Sequence, residues 1–226
     1  MTIDFTPYFL RYEALVTMAD AAFERVKAEF GECVSCRQGC ADCCHALFDL
    51  TLIEAIYINN HFYRVHDGEM RQKLLAKADQ ADRQVYLIKK RAYRNYREGT
   101  DENEILAHLA TERLRCPLLN DQNRCDLYEY RPITCRLYGI PTSIGGKAHT
   151  CGLSGFKEGT SYPTANLDAI HQRLYDISAD LVASLQTSYR KMGDMLVPLS
   201  MALLTVYDDA YLGVGAADID PDKGEN

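Results

Sequence analysis

Residues 33–45 read Cys33-Val34-Ser35-Cys36-Arg37-Gln38-Gly39-Cys40-Ala41-Asp42-Cys43-Cys44-His45. Five thiols within twelve residues are too dense for ordinary core filling. Thiolates are the softest ligands a protein owns, and they select zinc, copper(I) or iron–sulfur clusters. Cys33/Cys36 and Cys40/Cys43 each have the C-x2-C step that turns two sulfurs onto one ion, and Gly39 relaxes the backbone between them. The adjacent Cys43 and Cys44 read differently. In extended backbone, neighbouring side chains point to opposite sides. The pair therefore suits two metal centres, or one ligand and one nearby thiol.

Working outward, the other four thiols are Cys116, Cys125, Cys135 and Cys151. They are too widely spaced for one local knuckle, so tertiary structure must fold them back. Arg131 and Arg136 flank Cys135. A guanidinium beside thiolates offsets their negative charge and donates hydrogen bonds to sulfur, which makes both arginines candidate cofactor-binding residues. The blander reading is that of buried cysteines acting as small hydrophobes. It fits the repeating steps of the first group poorly and the second group better. Nine cysteines is an odd number and suits a disulfide scaffold badly. The N-terminal stretch shows no basic region followed by an apolar one, so a cytoplasmic protein with reduced thiols is expected.

The flanking sequence is helical. Phe9, Tyr12, Leu15, Val16, Ala19, Phe23, Val26 and Phe30 recur at helical spacing and predict a helix over Tyr8 to Phe30, stopped by Gly31. Thr51 with Glu54 forms a capping box that opens a helix to Tyr63. A long helix follows from about Gly68 to Glu98, and Thr100 or Asp101 caps another over Glu102 to Leu114. The second cysteine region is broken by prolines and glycines into turns, with a hairpin expected around Ile144 to Lys147. Thr164 or Asn166 starts a helix to about Met192, with Leu167, Ile170, Leu174, Ile177, Leu181 and Leu185 as its apolar stripe. Pro198 to Tyr207 reads as a last short helix. The expected fold is mainly α: a single domain over 1–212 with helices packed around irregular, cysteine-rich metal-binding loops (cysteine core about 33–151) and an acidic flexible tail over 213–226. No run of eighteen apolar residues exists to span a membrane.

Net charge is −7, which argues against nucleic acid as the partner of the whole surface. One basic strip stands out. Arg83, Lys89, Lys90, Arg91, Arg94 and Arg97 occur with no acid among them, interleaved with Tyr86, Tyr93 and Tyr96. It is either a docking helix, 83–97, for a partner protein, or a solvated face whose tyrosines pack inward; the second is the preferred reading. His45 and His149 lie near cysteines and read as neighbours of the ligands rather than ligands. There is no GxGxxG, P-loop or HExxH. Cys36, Cys40 and Cys43 match the C-x3-C-x2-C of radical S-adenosylmethionine enzymes, but the strand–helix alternation of a barrel is missing.

The cysteine pattern resembles the CxxCxxCC, or YkgJ-type, zinc- or iron-chelating proteins. The matching residues are Cys36, Cys40, Cys43 and Cys44; Cys116-Pro117-Leu118-Leu119; Cys125-Asp126-Leu127-Tyr128-Glu129-Tyr130-Arg131-Pro132-Ile133-Thr134-Cys135-Arg136; and Cys151. The chain departs in its first cluster, where the spacer Arg37-Gln38-Gly39 and the additional Cys33 leave five thiols for four places. The resemblance implies a metal centre, iron–sulfur (4Fe-4S foremost) or zinc. It leaves the reaction open, although bacterial members include flagellin lysine methylases. The expected function is that of an iron–sulfur protein with an accessory, electron-transfer or structural role. The alternatives are an iron–sulfur-dependent protein-modifying enzyme such as a lysine methyltransferase, and a zinc-stabilised binding module.

Overall fold

The computed structural model describes residues 3–214. Helix α1 (Thr6–Glu29) opens with Pro7 in its first turn and buries Tyr12, Leu15, Ala19 and Val26, the apolar face read from the sequence. Strand β1 (Asp49–Thr51) leads into α2 (Leu52–Val65). The capping box forms there. The Thr51 N–H and Oγ1–H both reach Glu54 Oε2, at 3.4 and 3.2 Å. Helix α2 is the centre of the molecule: Leu52, Ile53, Ala55, Ile56, Ile58 and Phe62 are at most 2% exposed. It packs on α6 and α7 and touches α1.

Helix α3 runs unbroken over Gly68–Arg97, and α4 covers Glu102–Thr111. Asp101 caps α4 by accepting from the Asn103 and Glu104 N–H groups. Helix α4 stops short of the expected Leu114 because the chain straightens to pair with the first cysteine loop. Leu114 N–H donates to His45 O and Cys116 N–H to Cys44 O. Short α5 (Ile133–Leu137) carries Cys135. Strands β2 (Thr142–Ile144) and β3 (Lys147–His149) form the expected hairpin. Gly145 and Gly146 both have positive φ, as a tight two-residue turn between twisted strands requires. Strand β4 (Ala165–Asn166) adds in parallel to β2.

Helix α6 (Leu167–Ser184) is capped by Asn166 and buries Leu174, Ile177 and Leu181. It ends eight residues before the expected Met192. Gln186 takes φ 49°, and the chain folds back so that Gly193 lies on Ala179, where a Cβ would meet the Ala179 Cα at 3.1 Å. Strand β5 (Leu196–Pro198) then pairs antiparallel with β1, and α7 (Leu199–Leu204) closes the core. Leu212 is wholly buried; of the expected acidic tail, residues 215–226 lie outside the described residues. No described helix is long and apolar enough to cross a membrane. The architecture is mainly α, with two irregular loop regions gathered between α1, α2 and α5.

Candidate metal centre

Eight thiols line one cavity of about 840 Å³: Cys36, Cys40, Cys43, Cys44, Cys116, Cys125, Cys135 and Cys151. Cys33 is not among them. Segments far apart in sequence meet here through backbone pairing. The Cys44 carbonyl accepts from Cys116 N–H at 2.7 Å. The Pro117–Arg124 turn then returns the chain so that Leu119 and Cys125 form a bridge. Asn120 holds that turn: its Oδ1 accepts from the Gln122 and Arg124 N–H groups, and its Nδ2 donates to Asp126 at 2.7 Å. Composition alone marked the segment as a turn, but Asn120 as its pin was missed.

Cys43, Cys44 and His45 sit in a 3-10 turn rather than in extended backbone. The expected opposition of the vicinal thiols therefore does not arise. Their sulfurs are 4.0 Å apart, and both residues line the cavity. His45 Nδ1 meets the Ala41 carbonyl at 3.0 Å, and neither His45 nor His149 lines the cavity.

The thiols fall into two neighbourhoods. In the inner one, Cys43 takes hydrogen bonds from Cys135 and Cys44, which lowers its pKa. Cys44 and Cys135 are pushed up as donors to it. Burial lifts Cys116 to about 12 and Cys125 to about 11, with Arg131 pulling Cys125 the other way. The outer neighbourhood is Cys36, Cys40 and Cys151. Cys36 is exposed as a residue, yet its sulfur sits where a Cβ on Gly139 would be, 2.1 Å away. Only glycine at 139 leaves that place open. Cys36 rises to about 11, chiefly by desolvation and then by Cys40. Apart from Cys43, the shifted thiols are thus held in the protonated form.

Arg131 and Arg136 both lie on the cavity wall, but their donors reach oxygen. Arg136 is 7% exposed. It donates to Asp20 Oδ2 at 2.6 Å, to the Arg131 carbonyl at 3.0 Å and to the Glu129 carbonyl. Arg131 lies over the Tyr128 ring at 4.0 Å and reaches Asp20 Oδ1 at 3.8 Å. The two arginines pin the α5 segment to α1, and Arg131 also lends its charge to the Cys125 sulfur. A second pin is Glu54. Its Oε1 accepts from the Ile133 N–H at 3.2 Å, at the first residue of α5. The capping box had signalled Glu54 only as part of α2.

Among the described residues, no group of three or more His, Cys, Asp or Glu side chains forms a ready-made ion cage. A lone zinc with bonds of about 2.3 Å needs its sulfurs about 3.8 Å apart. Soft donors predominate on this wall, which Asp20, Glu24, Asp42 and Glu129 also line. The donor set fits a thiolate-held metal group.

The basic strip differs from the preferred reading. Tyr86, Tyr93 and Tyr96 point outward, 60%, 62% and 52% exposed, because α3 buries its other face through Leu74, Ala78, Ala81 and Val85. Arg83, Lys89 and Arg91 are paired with Asp79, Asp49 and Glu112.

A family model described as "CxxCxxCC: Putative zinc- or iron-chelating domain" matches residues 35–152. The match takes in the same eight cysteines that line the cavity and begins after Cys33. No curated protein and no solved structure matches the chain.

Proposed function

Since the chain belongs to the CxxCxxCC family of zinc- or iron-chelating domains, we propose that it holds an iron–sulfur cluster in its thiol cavity, of the 4Fe-4S type. Its role is then electron transfer or support of a partner reaction. The observation that carries this reading is the number of sulfurs: eight line one cavity, more than a single ion takes. The inner thiols Cys44, Cys116, Cys125 and Cys135, with Cys43 among them, would hold the group. When bound, it supplies one-electron chemistry. The chain's own residues orient the ligands. Asn120 sets Cys116 against Cys125, and Glu54 with Asp20 sets Cys135. Arg131 moderates the negative charge. Protein purified without oxygen should be brown, with a broad visible absorption band. Colourless protein carrying zinc would replace this reading with that of a zinc-stabilised module.

A second reading concerns partners, and it is favoured by the outward tyrosines of α3. Arg94 and Arg97 are exposed and have no ion pair or side-chain hydrogen bond among the described residues, and Lys90 lies 5.6 Å from the Tyr86 ring centre. This face suits an acidic protein partner. Reversal of Arg94 and Arg97 to glutamate should release proteins that co-purify at low salt; an unchanged set would sink the idea.

A further inference from the structure

Helix α3 runs on for about 18 Å past Val85, its last buried side chain, to Arg97. Helix α4 packs back against this extension, and none of its residues is buried. Its sequence is nevertheless amphipathic: Ile105 and Leu109 are half-buried, and Leu106 is 63% exposed. So short a helix is marginal in water and draws its stability from a covered apolar face. Between the two helices lies a groove of about 250 Å³ lined by Ala92, Tyr93, Tyr96, Glu102, Ile105 and Leu106. The arm is tied to the body through Lys89 with Asp49 and Arg91 with Glu112. Its outer surface carries both signs of charge. On α3, Tyr86, Lys90, Tyr93 and Arg97 are spaced to share one exposed face, with Arg94 beside it. At the turn into α4 stand Glu98 and Glu102. Arg94, Arg97, Glu98 and Glu102 are all exposed, and none has an ion pair or side-chain hydrogen bond among the described residues.

We infer that the α3–α4 arm is a self-association surface, pairing two copies of this chain about a two-fold axis. Tyr93, Tyr96 and Leu106 form the centre of the contact, as aromatic and apolar side chains do in interface cores, and Arg94, Arg97, Glu98 and Glu102 surround them. A patch that holds both signs is complementary to itself. In a two-fold pair the arginines of one copy meet the glutamates of the other, and the same contact is made twice. A partner that is acidic throughout would set Glu98 and Glu102 against like charge. A chain of net charge −7 is itself an acidic protein, and naming it as the partner rests on the reading of the α3 face as a docking surface for one.

The test is sedimentation of the anaerobically purified full chain over a range of protein and salt concentrations. Wild type should be a dimer at low salt, and the dimer should weaken as salt rises. Arg94→Glu with Arg97→Glu, and separately Glu98→Lys with Glu102→Lys, should each raise the dimer Kd by more than about a hundredfold, because like charges then face each other. Mixed together, the two variants should pair, since an all-acidic arm meets an all-basic one. That recovery also shows that both variants fold. A dimer that neither double variant weakens overturns the placement of the contact on the arm. Wild type that is a monomer throughout overturns the inference: if acidic proteins still co-purify through Arg94 and Arg97, the docking reading stands without it, and if none do, both fall.

Discussion

Cys135→Ala should empty the inner centre, lowering metal retention more than about a hundredfold, whereas Cys33→Ala should leave metal content at the wild-type level. Removing a ligand costs more than removing a ligand's hydrogen-bond partner, which already costs about 10- to 100-fold. Cys135 is placed for this by two independent anchors. Glu54 fixes the first N–H of its helix, and Arg136 fixes the next residue to Asp20. Its thiol meets Cys43, and Cys116 and Cys125 are near neighbours, so its loss opens the middle of the inner group. Cys33 is absent from the cavity wall and from the family match. Its ties are to the backbone of the 154–155 turn, through Gly155 N–H to its carbonyl. Metal analysis of the two variants purified in parallel separates the ligands from the spare thiol. Equal loss in both would show that Cys33 belongs to the centre.

Glu54→Ala should destabilise the protein by about 3 kcal/mol and lower its melting temperature by about 6–12 °C for a chain of this size. Three donors lose their acceptor at once: the Thr51 N–H, the Thr51 hydroxyl and the Ile133 N–H. Glu54 is 3% exposed, so water cannot replace the carboxylate without a cavity opening. The variant should also hold metal less well, because α5 loses its anchor. Burial raises the Glu54 carboxyl above its ordinary value, opposed by the hydrogen bonds from Ile133 and Thr51. The folded state thus binds this proton more tightly than the unfolded chain. The resulting stability is fully present below the ordinary carboxylate range and is lost as pH rises through the raised value. Glu54→Gln removes that dependence. Denaturation midpoints across the acid range should show wild type losing ground to Glu54→Gln as pH rises; parallel curves would count against a raised carboxyl.

Much of the scaffold was legible in the chain. The capping box at Thr51, the α1 stripe and the glycine pair at 145–146 are local signals, and they survive folding because local hydrogen bonds decide them. Helices α4 and α6 end earlier than their patterns suggest for non-local reasons: one segment pairs with the cysteine loop, the other turns back onto α6. The thiols were legible as soft donors that tertiary structure must gather, but their grouping was not. Cys43 and Cys44 share a direction because a 3-10 turn, not a strand, holds them. Glu54 and Asp20 are ordinary polar residues in the sequence, and only packing shows each reaching another segment, while Asn120 pins its own turn. The tyrosines of α3 face water because Leu74, Ala78, Ala81 and Val85 already supply that helix with a buried face.

The most direct measurement is the number of iron atoms and inorganic sulfides per chain in protein never exposed to oxygen. About four of each, in equal numbers and lost together in Cys135→Ala, is the result expected for a 4Fe-4S centre. Protein free of iron, sulfide and zinc, with all nine thiols open to alkylation in the folded state, would contradict it.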